Sequence, residues 1–287
     1  MSTQKITSME VAKLAGVSQS AVSRVFTPGA SSSKKTNELV RKAAAELGYR
    51  PNVLARSLIT GKSRMIGLVV AYLDNYFYPE ALELLSSALQ KKGYHVLIFM
   101  SGNKEGDIAD AVDEILDYQV DGIIAASVSM SSDLAKRCTS AGVPVVLFNR
   151  TQDDDRLSAV TSDNFQGGQK VARFLLAGGH KRIGYIAGWE GASTQRDREK
   201  GFTEELVRNG QELYAREVGN FNSDEARQAA RTMFSKQNFP DAVFVANDAM
   251  AIAVIDVIRF ELGLQVPEQV SVVGYDDVPI SSWPAYD

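Results

Sequence analysis

The 287-residue chain is 45% hydrophobic, enough to bury more than one core, and its single cysteine, Cys138, excludes an internal disulfide and fits a reducing cytoplasm. No apolar run approaches the ~20 residues of a membrane helix, and the polar start is expected to carry no secretion signal. The net charge of −4 hides an asymmetry: residues 1–64 hold eleven basic and three acidic side chains, a net of +8, which leaves −12 for the rest. A basic head on an acidic body suits a polyanion-binding arm joined to something with another task. A merely solvated basic surface would not account for the shortage of acids.

Two short helices joined by a glycine turn open the chain. Thr7 and Glu10 form a capping-box pattern, Val11, Leu14 and Ala15 are expected on one inner face, and Gly16 suits the turn. Ser18 caps a second helix whose Ala21, Val22 and Val25 face inward, leaving Gln19, Ser20, Ser23 and Arg24 outside. This is the pattern of a helix-turn-helix, whose second helix enters the major groove. Arg24 can donate twice to guanine, Gln19 can pair with adenine, and Ser18 and Ser20 complete the candidate set. An ordinary α-hairpin inside a larger core is the competing reading. A Pro28-Gly29 loop follows, and Leu39, Val40, Ala43, Ala44 and Leu47 then trace a third helix closed by Gly48.

The most specific stretch comes next: Gly48-Tyr49-Arg50-Pro51-Asn52, then Ala55-Arg56-Ser57-Leu58. With Val11-Ala12, Ala15-Gly16-Val17-Ser18 and Val22-Ser23-Arg24-Val25, it resembles the lactose/galactose repressor (LacI/GalR) family of bacterial transcription regulators. The resemblance implies a helix-turn-helix headpiece over 1–50 and a hinge helix and linker over 51–64. It also implies a periplasmic-binding-protein-like body of two doubly wound α/β subdomains, 65–161 and 162–287, the second incomplete. In such a hinge Leu58 wedges into the minor groove and bends the duplex, while Tyr49, Asn52 and Arg56 hold phosphates. The hinge segment is too short to be a stable helix alone. Ile59 departs from the basic residue that many relatives carry after the leucine. Gly61-Lys62-Ser63 is no phosphate loop, because Arg56 stands where its first glycine would be.

From Met65 the pattern alternates apolar strands with amphipathic helices, as in a parallel doubly wound sheet. Strands are expected at 66–71, 95–99, 122–126 and 145–148, and again at 182–187, 242–246 and 270–274. Helices are expected at 79–92, 106–118 and 132–141, and then from Gln166, Arg198, Ser223 and Met250. Ligands of such folds sit at the carboxyl ends of strands. There the resemblance places effector contacts at Asn149, Arg198, Phe221, Asn247 and Asp276, with Arg198 clamping a hydroxyl pair or a carboxylate. The stretch Asn75-Tyr76-Phe77-Tyr78 after the first strand, with Phe77 as its effector contact, would close the other side.

No zinc-protease histidine pair, cysteine pair, nucleophile elbow or dinucleotide glycine fingerprint is present, so no catalytic residue, metal or cofactor is expected. Asp153-Asp154-Asp155 reads as a solvated loop rather than a calcium loop, and His95 and His180 as turn residues. The expectation is a cytoplasmic, ligand-responsive regulator, a repressor by the family's usual mode, with no membrane association. It would bind a palindromic operator as a homodimer or higher oligomer and change DNA affinity when a sugar-like effector binds. The alternative is a cytoplasmic solute-binding or sugar-processing protein with an incidental basic arm.

Overall fold

The computed structural model describes residues 6–27, 29–51, 61–71, 73–101, 105–128, 130–152 and 157–286. They form two compact units, residues 1–63 and 64–287, each taken by itself.

The head unit has three helices, α1 (Ser8–Ala15), α2 (Gln19–Phe26) and α3 (Lys34–Leu47). The capping box forms as expected: the Thr7 amide donates to Glu10 Oε2 at 2.7 Å, and the Glu10 amide donates to Thr7 Oγ1 at 3.4 Å. Gly16 ends α1 at φ 66° and Gly48 ends α3 at φ 65°, left-handed positions where a Cβ would be strained. Val11, Val22 and Val40 are fully buried at the centre of a small core. Leu14 and Leu39, expected in that core, are instead exposed. The buried stripe of α1 runs through Val11, Ala12 and Ala15, and that of α3 through Val40, Ala43 and Ala44. At about 100° per residue, both leucines fall roughly a right angle off those stripes.

The body unit holds two parallel sheets. The first contains β1 (Met65–Val70), β2 (His95–Met100), β3 (Gly122–Ala126), β4 (Val145–Phe148) and β5 (Ser158–Val160), in the order β2-β1-β3-β4-β5. Its helices are α4 (Phe77–Lys91), α5 (Glu105–Asp117) and α6 (Ser132–Ser140). The second contains β6 (Ile183–Ala187), β7 (Ala215–Val218), β8 (Ala242–Val245) and β9 (Ser271–Val273), in the order β7-β6-β8-β9. It carries α7 (Asn164–Ala177), α8 (Ser193–Arg208), α9 (Ser223–Phe234) and α10 (Asp248–Asp256), the last continued by a π-helical turn, Val257–Glu261. Central strands such as β6 and β8 are buried along their whole length, which is why they read as unbroken apolar runs. The edge strands β5 and β7 were not expected, because Ser158-Ala159-Val160 and Ala215-Arg216-Glu217-Val218 lack such runs.

Two cores flank the first sheet, one around Val112, Ile115 and Ile123 and one around Leu68, Val70 and Tyr78. In the second half the rings of Tyr185, Phe202 and Phe244 form a triangle with centroids 5.0–5.7 Å apart. Helices α7 and α8 touch backbone to backbone. A Cβ on Gly168 would lie 2.1 Å from the Arg198 carbonyl oxygen, and one on Gly201 would lie 2.0 Å from the Phe165 carbonyl oxygen. Glycine inside a helix costs about 1 kcal/mol relative to alanine, so close approach is the gain that offsets it. It also seats Arg198. Helix α8 begins at Ser193, five positions before the expected start, so Arg198 lies within it rather than at its beginning.

Candidate functional sites

On the head, Ser18, Gln19, Ser20, Ser23 and Arg24 are all exposed, as a groove-reading face requires. Ser18 has a local duty as well: its Oγ accepts from the Ala21 amide at 3.2 Å and lies 3.0 Å from Ser20 Oγ. Gln19 Nε2 donates to Ser8 Oγ at 2.9 Å, holding the amide at the start of α1. Tyr49 is half-buried with its ring 5.8 Å from that of Phe26. Asn52, Arg56 and Leu58 lie outside the described residues.

Beside Arg24 lies a hollow of about 280 Å³ lined by Ala21, Ser31, Ser32, Ser33 and Thr36. Ser33 caps α3, its Oγ accepting from the Thr36 amide at 3.1 Å, so the hollow gathers hydroxyls, a guanidinium and a helix N-terminus. Such a set suits a phosphate. Sequence reasoning passed over these serines as loop; the cap pattern followed by Lys34-Lys35 was the available signal.

In the body the strand ends converge. Among the described residues, six of the eight non-glycine positions with positive φ follow strands: Ser127, Asn149, Asn220, Phe221, Asp276 and Asp277. Strained backbone gathers where side chains must be aimed at a ligand. A cavity of about 420 Å³ is lined by Phe77, Asn149, Ser162, Arg198, Asp276 and Ser281, among others. A gap of about 10 Å³ lies among Asn149, Arg198, Asp276, Phe221, Asn247 and Arg150. All six residues expected to meet the effector line one or both.

Arg198 is 3% exposed and its donors are taken up internally. Nε donates to Asn164 Oδ1 at 2.8 Å, NH1 to the Ala246 carbonyl at 2.5 Å and NH2 to Asp276 Oδ1 at 3.3 Å. Its guanidinium carbon stands 3.7 Å from the Tyr275 ring centroid. The donors expected to clamp the effector are thus engaged within the protein, where Arg198 holds Asp276. Burial pushes the Asp276 carboxyl up to about 7, against the downward pull of Arg198. Burial also raises the Asp248 carboxyl, while the Val278 amide, donating at 3.0 Å, opposes it. Asn247 Oδ1 accepts from the Met250 amide at 3.0 Å and so caps α10. The Phe221 ring rests where a Cβ on Gly188 would come within 2.2 Å.

From the stretch Asn75-Tyr76-Phe77-Tyr78, Asn75 and Tyr78 enter the site with Phe77, while Arg150 was not foreseen. Tyr78, 1% exposed, accepts at its hydroxyl from Asn149 Nδ2 at 3.1 Å. Asn75 lines the smaller gap and accepts at Oδ1 from the Phe77 amide at 3.1 Å, whereas Tyr76 is exposed. Arg150 crosses between the halves: NH1 donates to Thr194 Oγ1 at 2.7 Å and NH2 to Ser127 Oγ at 3.1 Å. Beside it the Thr151 amide donates to Ser193 Oγ at 2.9 Å. Its adjacency to Asn149 at the end of β4 was the signal. Among the described residues there is no cluster of three or more His, Cys, Asp or Glu side chains fit for a metal, and no helix is long and apolar enough to cross a membrane.

Comparison with known proteins agrees with this two-part arrangement. Residues 7–52 match the family described as bacterial regulatory proteins, lacI family, and residues 66–281 match a periplasmic binding protein domain. The chain is 30% identical to the HTH-type transcriptional repressor PurR of Pasteurella multocida, over 95% of this chain and 82% of PurR. A crystal structure of the lac repressor dimer bound to operator and the anti-inducer ONPF superposes with a TM-score of 0.87 at 30% identity, covering 97% of this chain and 84% of that one. A complex of the transcriptional regulator CelR with cellobiose gives a TM-score of 0.69 at 31% identity, covering 96% and 84%. The chain belongs to the LacI family of transcription regulators.

Proposed function

We propose that this protein represses transcription by binding a palindromic operator in the cytoplasm as a homodimer, and that a small, hydroxyl-rich effector in the body's cleft changes its affinity for that DNA. The observation that carries the reading is the joining, in one chain, of an exposed basic recognition helix to a cleft lined by converging strand ends. In this reading Gln19, Ser20 and Arg24 meet base edges, and the hollow at Ser31–Ser33 takes a backbone phosphate. Residues 51–64 act as the hinge, with Leu58 as the wedge. Phe77, Asn149, Phe221, Asn247 and Asp276 contact the effector, and Arg198 holds Asp276 in place. The protein works as a binding switch rather than a catalyst, a reading supported by relatives named as regulators.

Dimerisation has a candidate face. Ile98 and Met100 lie on the same side of the edge strand β2 as Val96, which packs against α4, and are 53% exposed each. Apolar side chains so uncovered on an edge strand suit a two-fold contact, and a dimer matches the two half-sites of a palindrome.

A gel shift and footprint on the DNA upstream of the protein's own operon test the proposal. A protected palindrome, released or tightened by a cleft ligand, is expected; no binding by the intact protein with or without ligands would contradict it. Leu58→Ala is expected to weaken specific binding much more than nonspecific binding, and equal losses on both DNAs would rule out the wedge.

A further inference from the structure

The inner end of the cleft sets two guanidinium groups against one carboxylate, and among the described residues one of the two, Arg150, has no hydrogen-bonded counter-ion. Arg150 is 3% exposed, and its hydrogen bonds run to neutral oxygens only: the Asn149 carbonyl at 3.0 Å, Thr194 Oγ1 at 2.7 Å and Ser127 Oγ at 3.1 Å. Its Nε–H has no partner among the described residues, and neither has Nδ2 of Asn247, a residue only 1% exposed. Both side chains line the gap of about 10 Å³, which has room for one water-sized group such as a single oxygen atom. Two guanidinium groups and one carboxylate border that gap, and the carboxylate, Asp276, is already held by Arg198 at 3.3 Å. Asp276 across the gap and the Phe221 ring, whose centroid lies 5.7 Å from the guanidinium carbon, favour the Arg150 charge, but neither takes its Nε–H, and a charge-assisted bond to a carboxylate is about twice as strong as a neutral one.

The lining changes sign outward. The gap and the cavity of about 420 Å³ share Asn149, Arg198 and Asp276, and beyond them the cavity meets Asp248, Asp277, Ser162 and Ser281. These are acceptors and hydroxyls, suited to a row of hydroxyl donors. Phe77 offers an apolar surface beside them.

We infer that the effector is a polyhydroxy carboxylic acid, a sugar acid rather than a neutral sugar, with one carboxylate oxygen between Arg150 Nε and Asn247 Nδ2 and its hydroxyls directed to Asp276 and Asp277. The inference rests on the cleft being the effector site and narrows what that site takes. A phosphate can also place one oxygen in the gap, and the 6-phosphates in the test below separate it from the carboxylate.

Thermal unfolding of the intact protein tests this with matched probes: D-glucose, D-galactose and D-mannose, the aldonic and uronic acid of each, and the 6-phosphate of each. At least one sugar acid is expected to raise Tm and to bind about tenfold or more tighter than its neutral parent. Arg150→Gln is expected to bring that ratio close to one, and Arg150→Lys to keep part of it. If Arg150→Gln does not fold, Asn247→Asp serves instead. It keeps the cap on α10 but sets a carboxylate against the ligand's own, so the acid loses its advantage and the neutral sugar does not. A neutral sugar that binds as well as its acid overturns the charge inference and leaves the cleft reading standing. A 6-phosphate that outbinds the acid overturns the carboxylate. No shift with any probe overturns both the inference and the cleft reading.

Discussion

On the head, Gln19, Ser20 and Arg24 follow one another along a single short helix and stand in solvent, whereas in the body Arg198, Asn247 and Asp276 come from three separate elements with side chains buried and bonded to one another's surroundings. The contrast follows from the partners. A recognition helix meets a rigid polyanion from outside and gains nothing from burial before DNA arrives, because phosphate contacts set its register and base edges supply specificity. A cleft surrounds a small solute, and binding is stronger when its polar groups are fixed beforehand. The head is therefore local and open, and the body is assembled and pre-paired.

Arg198→Ala should break the body hardest. It strands the buried Asp276 and frees the Asn164 and Ala246 oxygens, a loss of about 3–5 kcal/mol in urea unfolding, with part regained in the Arg198→Ala/Asp276→Ala double variant. Gly168→Ala comes next. The added methyl meets the Arg198 carbonyl, and the forced separation of α7 and α8 should cost about 3 kcal/mol and lower ligand affinity, since Arg198 moves with its helix. On the head, Arg24→Ala should cost about 1–3 kcal/mol of operator binding with relaxed sequence preference and no change in the body's Tm. Loss of body stability in that variant would break the comparison.

The same contrast governs what the sequence discloses. The Thr7–Glu10 capping box, the turn at Gly16 and the cap at Ser18 lie within a few residues of their partners and are legible one by one. Central strands announce themselves because both of their faces are buried. The edge strands β5 and β7 carry no such pattern, and the start of α8 is obscured because Ala192 supplies no capping side chain. The cleft residues were placed through family resemblance, since nothing local says that Asn149 meets Tyr78, 71 positions away. Arg150 escaped for the same reason: its partner Ser127 follows β3 in the first half of the body and its partner Thr194 lies in α8 of the second.

A smaller effect separates the halves by pH. With Asp276 pushed up to about 7 by burial, the folded protein holds that proton between the usual carboxylate range and about 7, where the unfolded chain has released it. Its contribution to stability is thus present in acid and lost as pH rises through about 7. The body's Tm should fall from about pH 5 to about pH 8, and Asp276→Asn should flatten that slope. A slope of the opposite sign in the wild type, or one unchanged by the substitution, would show that Asp276 is not the group responsible. The smallest effect belongs to the head. Leu14→Gln should shift its stability by less than about 0.5 kcal/mol because the side chain is 48% exposed, while Val11→Ala, at a fully buried position, should cost measurably more.

Operator affinity of the intact protein, measured with and without a ligand shown to raise the body's Tm, addresses the central claim directly. Coupling between cleft and head predicts a change of about 5- to 150-fold in operator Kd, and a reciprocal change of the same factor in ligand affinity when operator is present. A ligand that stabilises the body yet leaves operator Kd unchanged would contradict the account.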